Sequence, residues 1–190
     1  MGITVRPLAP DMATVFTEYL GGLDFGHAPH WASCYCRYYH TDCPQGEWME
    51  RTADRNRAEA MEDIANGKMK GYLAFDGDQC IGWCNANNAR EYVRLQEYAG
   101  HLLDGRKVGC VICFVIHPSY RGRGVARLLL KHAIADFREQ GYDAVMALPY
   151  EVGADADPQR LYRGTLGMYR EYGFQEIERH DSLCVMWLGL

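Results

Sequence analysis

One stretch constrains the fold more than any other: "VGCVICFVIHPSYRGRGVARLLL", Val108 to Leu130. Val108 to Ile116 carries no charge, and its apolar side chains fall on both parities. Val108, Cys110, Ile112, Phe114 and Ile116 lie on one face, and Val111, Cys113 and Val115 on the other. A strand with two apolar faces needs cover on both, which places it at the centre of a sheet layered with helices. Pro118 ends it, since proline cannot donate to a ladder. Val125 to Gln140 then shows the broad apolar face of a packed helix, closed by Gly141.

Between the two lies Arg121-Gly122-Arg123-Gly124. A helix opens with N–H groups that lack intrahelical partners, and its dipole favours negative charge there. Glycines permit positive φ and let an anion come close to the backbone. Strand, glycine turn and helix together make a phosphate site, to which Arg121, Arg123 and Arg127 add attraction. The P-loop pattern Gly-x4-Gly-Lys-Ser/Thr is absent. A dinucleotide fold fits poorly as well. Arg127 stands where a third small residue belongs, and Asp143 opens the next strand rather than closing it.

The rest of the chain surrounds this unit. "GITVRPLA" reads as a short strand, and a helix capped by Asp11 runs to about Leu20. Residues 21–46 form a long irregular segment rich in Gly, His, Cys and aromatics. Glu47 to Asn66 reads as one helix ending at Gly67, and "MKGYLAFDGDQCIGWCNA" as a hairpin around Asp76-Gly77. Residues 87–107 are polar, with at most a short helix. "DAVMALPY" is a strand, Leu161 to Tyr172 a helix ended by Gly173, and "FQEIER" and "LCVMWLGL" are two closing strands. The order is mixed α/β without repeats or linkers, and suits a single domain over residues 1–190.

Composition narrows the function. A net charge of −5 leaves no broad basic face for nucleic acid. No apolar run is long enough to span a membrane, and "MGITVRPLAP" is not a signal peptide. A cytoplasmic location is expected, with the 8 cysteines mostly reduced.

Arg121-x-x-Gly124-x-Ala126, following "HPSY", resembles the acetyl-CoA signature of the GNAT superfamily of N-acetyltransferases. Downstream, Tyr169, Gly173 and Phe174 in "MYREYGF" match that family's Tyr-x-x-x-Gly-Phe segment. The two motifs stand in the family's order, and the likeness is strong from about Met69 to Leu190. It implies an α/β fold with a mixed, mostly antiparallel central sheet, flanking helices and splayed central strands. It implies that the backbone of Phe114, Val115 and Ile116 lines the pantetheine arm of acetyl-CoA, the co-substrate. The N–H groups of Gly122, Arg123, Gly124, Val125, Ala126 and Arg127 would hold the pyrophosphate. Acetyl transfer to a primary amine follows, with a small molecule as the default acceptor and a peptide N-terminus or protein lysine as alternatives.

By the same resemblance Tyr169 is the general acid that protonates the leaving thiolate, a role that suits a phenol. Many members carry a glutamate on the central strand, and Val108 to Ile116 has none. The base therefore stays unassigned among His117, Glu151 and ordered water. This departure also sustains a rival reading, a non-catalytic acyl-CoA-binding or sensing domain on the same scaffold. The oligomeric state is open, a homodimer included.

"FGHAPHWASCYCRYYHTDC" gathers His27, His30, Cys34, Cys36, His40 and Cys43. Cys-x-Cys is not the usual knuckle spacing and no second pair follows, so no metal is expected. The segment reads as an aromatic lid with buried thiols, or as a substrate wall in which Trp31, Tyr35 and Tyr38 bound an amine. With "IGWC", Ile81 to Cys84, it resembles a GNAT subgroup that shares both features. Cys110 and Cys113, three apart on a strand, are expected on opposite faces, as core residues rather than a redox pair.

Overall fold

The computed structural model describes residues 2–26, 28–153 and 158–190. Among these residues the sheet has seven strands in the order β1-β2-β3-β4-β5-β7-β6. They are β1 Thr4–Pro7, β2 Gly71–Asp76, β3 Gln79–Asn88, β4 Val108–Ile116, β5 Ala144–Ala147, β6 Gln175–His180 and β7 Leu183–Gly189. β4 and β5 are parallel, and the other neighbours are antiparallel. This is the mixed, mostly antiparallel sheet that the sequence implied.

The helices are α1 Ala13–Gly21, α2 Gln45–Glu50, α3 Ala53–Ala65, α4 Gln96–Ala99, α5 Val125–Glu139 and α6 Leu166–Glu171. α5 buries Leu129, Leu130, Ala133, Ile134 and Phe137 in one cluster with Val111 and Phe114 of β4. The approach is close: a Cβ at Gly109 would fall 2.8 Å from the Phe137 ring. A second cluster joins Tyr39, Tyr92, Leu95 and Leu103 to Cys110, Ile112, Met146 and Leu148. Phe16, Tyr19 and Leu20 of α1 and Ile64 of α3 cover Leu73 and Trp83 in a third.

Several elements are shorter than the sequence suggests. Asp11 does not cap α1: it sits inside a 3-10 turn, Pro10–Met12, whose first position suits the fixed φ of proline. Glu47 to Asn66 is two helices. Arg51 is extended, and its Nε donates to Asn56 Oδ1 at 2.7 Å. The Thr52 hydroxyl then caps α3 by accepting from Arg55 N–H at 3.2 Å. Leu161 to Tyr172 also divides, into a 3-10 turn at Pro158–Arg163 and α6. Gly164 at φ +80° breaks it, and Thr165 caps the second piece. Residues 87–107 hold α4 and several 3-10 turns that bury Tyr92, Leu95 and Leu103.

The largest correction concerns β4. Cys113 pairs with Asn85, but Val111 pairs with Ala86, so Ile112 has no partner on β3 and forms a bulge. A one-residue bulge reverses the parity of everything beyond it. Phe114 therefore joins Val111 under α5, and Cys113 packs with Cys110 and Ile112 on the opposite face. The simple alternation read from the sequence holds only up to Ile112, and Cys110 and Cys113 share a face.

Candidate active site

The bulge sits where β4 and β5 part. Their pairing runs from Val108 with Ala144 to Val111 with Ala147 and stops. Beyond Ala147 the chain stays with β7: Cys184 N–H donates to the Pro149 carbonyl at 2.9 Å, and Glu151 N–H to the Ser182 carbonyl at 2.6 Å. β4 is left with an open edge. His117 N–H turns toward β3, donating to the Ile81 carbonyl at 2.9 Å. Backbone groups alternate along an antiparallel strand, so those of Phe114 and Ile116 face the open side. On this edge the Ile116 carbonyl accepts from Arg121 Nε at 3.2 Å; on the β3 side the Val115 carbonyl accepts from the Tyr19 hydroxyl at 3.0 Å.

The glycine turn follows directly. Gly122 and Gly124 have φ of +72° and +80°, and a Cβ on either would meet nothing within 4 Å. Their bareness therefore serves backbone conformation and open approach rather than packing. Gly124 is the left-handed N-cap of α5 and brings no side-chain cap. The first-turn N–H groups of Val125, Ala126 and Arg127 have no intrahelical acceptor and face the same opening. Such a turn of free N–H groups could hold a pyrophosphate. The arginines differ: Arg121 lines the adjoining cavity, Arg123 lies over the Tyr120 ring at 5.3 Å, and Arg127 is held by Glu171 at 2.7 and 3.0 Å.

The cavity encloses about 460 Å³. It runs from Arg121 and Ala126 along Ile112 to Ile116, and is walled by Trp31, Tyr35, Tyr38, Tyr39, Trp48 and Tyr162. The residues 29–51 that supply most of this wall are tied down by charge. Arg37 pairs with Asp63 and Glu59 of α3, and Arg51 with Glu59, while Asn56 Nδ2 donates to the Ser33 carbonyl at 2.8 Å. The sequence reading missed this network, although arginines facing a helix with acids at i and i+4 are a visible signal. Tyr35 and Cys36 have φ of +42° and +54°, an uncommon pair of left-handed residues. That turn brings Cys36 Sγ to accept from Trp83 Nε1 at 3.2 Å.

The thiols here are poor nucleophiles. Burial pushes Cys34 up to about 12. A hydrogen bond with Cys113, then burial, raise Cys36 well above the ordinary thiol range. Among the described residues no group of three or more His, Cys, Asp or Glu gathers to hold a metal, and His27 lies outside them.

Tyr169 is fully buried, and its hydroxyl donates to the Arg163 carbonyl at 2.8 Å. It does not line the cavity. It stands behind Gly164, which does: a Cβ there would fall 3.2 Å from the Tyr169 oxygen. Burial pushes its phenol well above the ordinary range. Neither earlier base candidate lines the cavity. His117 Nδ1 accepts from Ser119 N–H at 3.3 Å, and Glu151 pairs with Arg179.

Arg163 is 5% exposed. Nη1 donates to the Leu148 carbonyl at 3.1 Å, Nε to the Tyr162 hydroxyl at 2.9 Å, and Nη2 to the Tyr39 hydroxyl.

A model of the acetyltransferase (GNAT) family matches residues 33–174. No curated protein is a sequence match. Among solved structures, PaiA N-acetyltransferase from Thermoplasma acidophilum, in complex with coenzyme A, aligns over 100% of both chains at 13% identity, TM-score 0.56. A GNAT-family acetyltransferase from Listeria monocytogenes aligns over 99% of this chain and 95% of its own at 13% identity, TM-score 0.60. The polyamine N-acetyltransferase of Drosophila melanogaster aligns over 100% of both at 13% identity, TM-score 0.59. At these identities the structures speak for the fold, and the family match covers most of the sequence: the chain belongs to the GNAT acetyltransferase family, acyltransferases that take their acetyl group from acetyl-CoA.

Proposed function

We propose that this chain acetylates the primary amine of a small molecule. One observation carries the reading: a single cavity runs from Arg121 and Ala126, which flank the glycine turn, along Ile112 to Ile116 of β4 to an aromatic wall. Acetyl-CoA supplies an activated thioester. The turn from Gly122 to Arg127 holds its pyrophosphate, and the Phe114, Val115 and Ile116 backbone guides the pantetheine into the gap opened by the bulge.

In this scheme the amine nitrogen attacks the acetyl carbonyl, the C–S bond breaks, and the thiolate takes a proton. Tyr169 supplies that proton, and the proton shed by the attacking nitrogen as the amide forms passes through solvent to restore the phenol. Its O–H is committed to the Arg163 carbonyl, so the acid role requires the backbone at 163–164 to shift and free it. The amine must arrive neutral, and an alkyl ammonium titrates near ~10.4 in water. No carboxylate lines the cavity among the described residues, and an apolar wall disfavours the charged form, so desolvation promotes deprotonation.

Calorimetric titration with acetyl-CoA, with NAD and ATP as controls, comes first, followed by thiol release on a panel of amines. Binding of acetyl-CoA alone and turnover of compact amines are expected. Binding without any turnover would favour the non-catalytic acyl-CoA-binding reading.

A further inference from the structure

Arg163 differs from the other buried arginines. Arg37 and Arg51 each meet carboxylates. Arg163 meets none among the described residues; its hydrogen bonds go to one carbonyl and two phenols. The Tyr150, Tyr39 and Tyr162 rings stand 4.6, 5.3 and 5.4 Å from its guanidinium carbon. Those faces ease its desolvation without neutralising it. An unneutralised buried charge is costly. Capping Leu148, whose carbonyl lost its β4 neighbour in the splay, could be done by a neutral donor and does not explain a cation.

The hydroxyls of Tyr39 and Tyr162 both accept from this one guanidinium. A hydroxyl that accepts from a cation turns its own proton elsewhere and becomes a stronger donor. Burial pushes both phenols up, Tyr162 to about 12, so both protons are in place at neutral pH. Both residues line the cavity, whereas Arg163 stands behind them. The cavity is thus lined by two phenols held by a cation behind them, and by no acid among the described residues.

We infer that Tyr39 and Tyr162, backed by Arg163, form an anion subsite, and that the acceptor is an amine that also bears a carboxylate. This rests on the acetyl-transfer reading for the amine, but the subsite itself can be tested without turnover. Trp31, edge-on to Tyr162 at 5.0 Å, fits an apolar body between the two charged ends.

Two matched pairs separate the claims. In binding, 3-phenylpropionate is titrated against 3-phenylpropan-1-ol, neither of which can be N-acetylated. The carboxylate is expected to bind at least about tenfold tighter, and Tyr39→Phe and Tyr162→Phe should each remove most of that preference, as loss of a charge-assisted hydrogen bond predicts. Equal binding of the two, or a preference intact in both variants, overturns the subsite. In turnover, phenylalanine is compared with phenethylamine. A higher kcat/KM for phenylalanine that collapses through KM in Tyr162→Phe supports the acceptor class, and equal or better use of phenethylamine overturns it. Carboxylate binding with no acetylation of any amine would sink the proposed transfer reaction while leaving the anion subsite standing. The phenylalanine variants keep the ring, so folding is preserved where Arg163→Met could abolish it.

Discussion

The Tyr169 hydroxyl donates to the Arg163 carbonyl at 2.8 Å, directly behind the bare face of Gly164. A side chain placed by family resemblance at the thiolate is therefore found one backbone layer away from the cavity. If it acts as the acid, Tyr169→Phe should lower kcat by about 100-fold or more, with acetyl-CoA affinity within about twofold. A merely structural hydroxyl would cost about 1 kcal/mol of stability and leave kcat unchanged. Steady-state kinetics beside a denaturant titration tells the two apart.

The glycine turn gives a sharper expectation. Gly124→Asp puts a carboxylate into the cradle at φ +80°. The backbone strain is about 1–2 kcal/mol, which the fold should survive. Acetyl-CoA binding should vanish. Calorimetry on protein with an unchanged circular dichroism spectrum decides it, and normal binding would remove the pyrophosphate from this turn.

The aromatic wall depends on charges outside the cavity. Burial pushes the Glu59 carboxyl up, but hydrogen bonds and charge from Arg55, Arg51 and Arg37 outweigh it and hold it below the usual range. A lowered folded value means a stabilising contribution that is whole above the ordinary carboxylate pKa of about 4.3 and lost as pH falls through the folded one. Glu59→Gln should cost roughly 1–2 kcal/mol at pH 7, discounted because Glu59 is partly exposed. The gap between variant and parent urea midpoints should hold at neutral pH and close as pH falls below the ordinary carboxylate range. A gap that stays constant with pH would mean that Glu59 acts by packing alone.

Chelation should leave the fold and the reaction untouched. Protein purified without added metal is expected to hold only substoichiometric zinc, and EDTA should not shift its melting temperature. Stoichiometric zinc that disappears on replacing Cys34 and Cys36 together by serine would turn the aromatic segment into a metal site.

Much of the fold was legible because its signals are local. The two-faced run at Val108 to Ile116 and the glycines before α5 declare themselves within a few residues, and so does the hairpin, although its two-residue loop is Gly77-Asp78, one residue on from the Asp76-Gly77 read in the sequence. Helix boundaries were less legible, since Thr52 and Thr165 cap new helices in stretches whose apolar pattern runs on. The cradle could be read for the same local reason. The aromatic wall could not: Tyr39 and Arg163 lie 124 residues apart in the sequence and meet only in the fold. Nothing in either residue's neighbourhood announces the other.

The bulge at Ile112 acts on this strand as a frameshift acts on a message. Upstream of it one alternating set of side chains packs beneath α5; downstream the other set does, and Cys113 rather than Phe114 shares the side of Cys110. Transplanting this cavity into another scaffold, or aligning the strand with a distant relative, therefore requires counting from Ile112 outward in both directions. A match made on hydrophobic alternation alone would pair the correct residues on one side of that point and the wrong ones on the other.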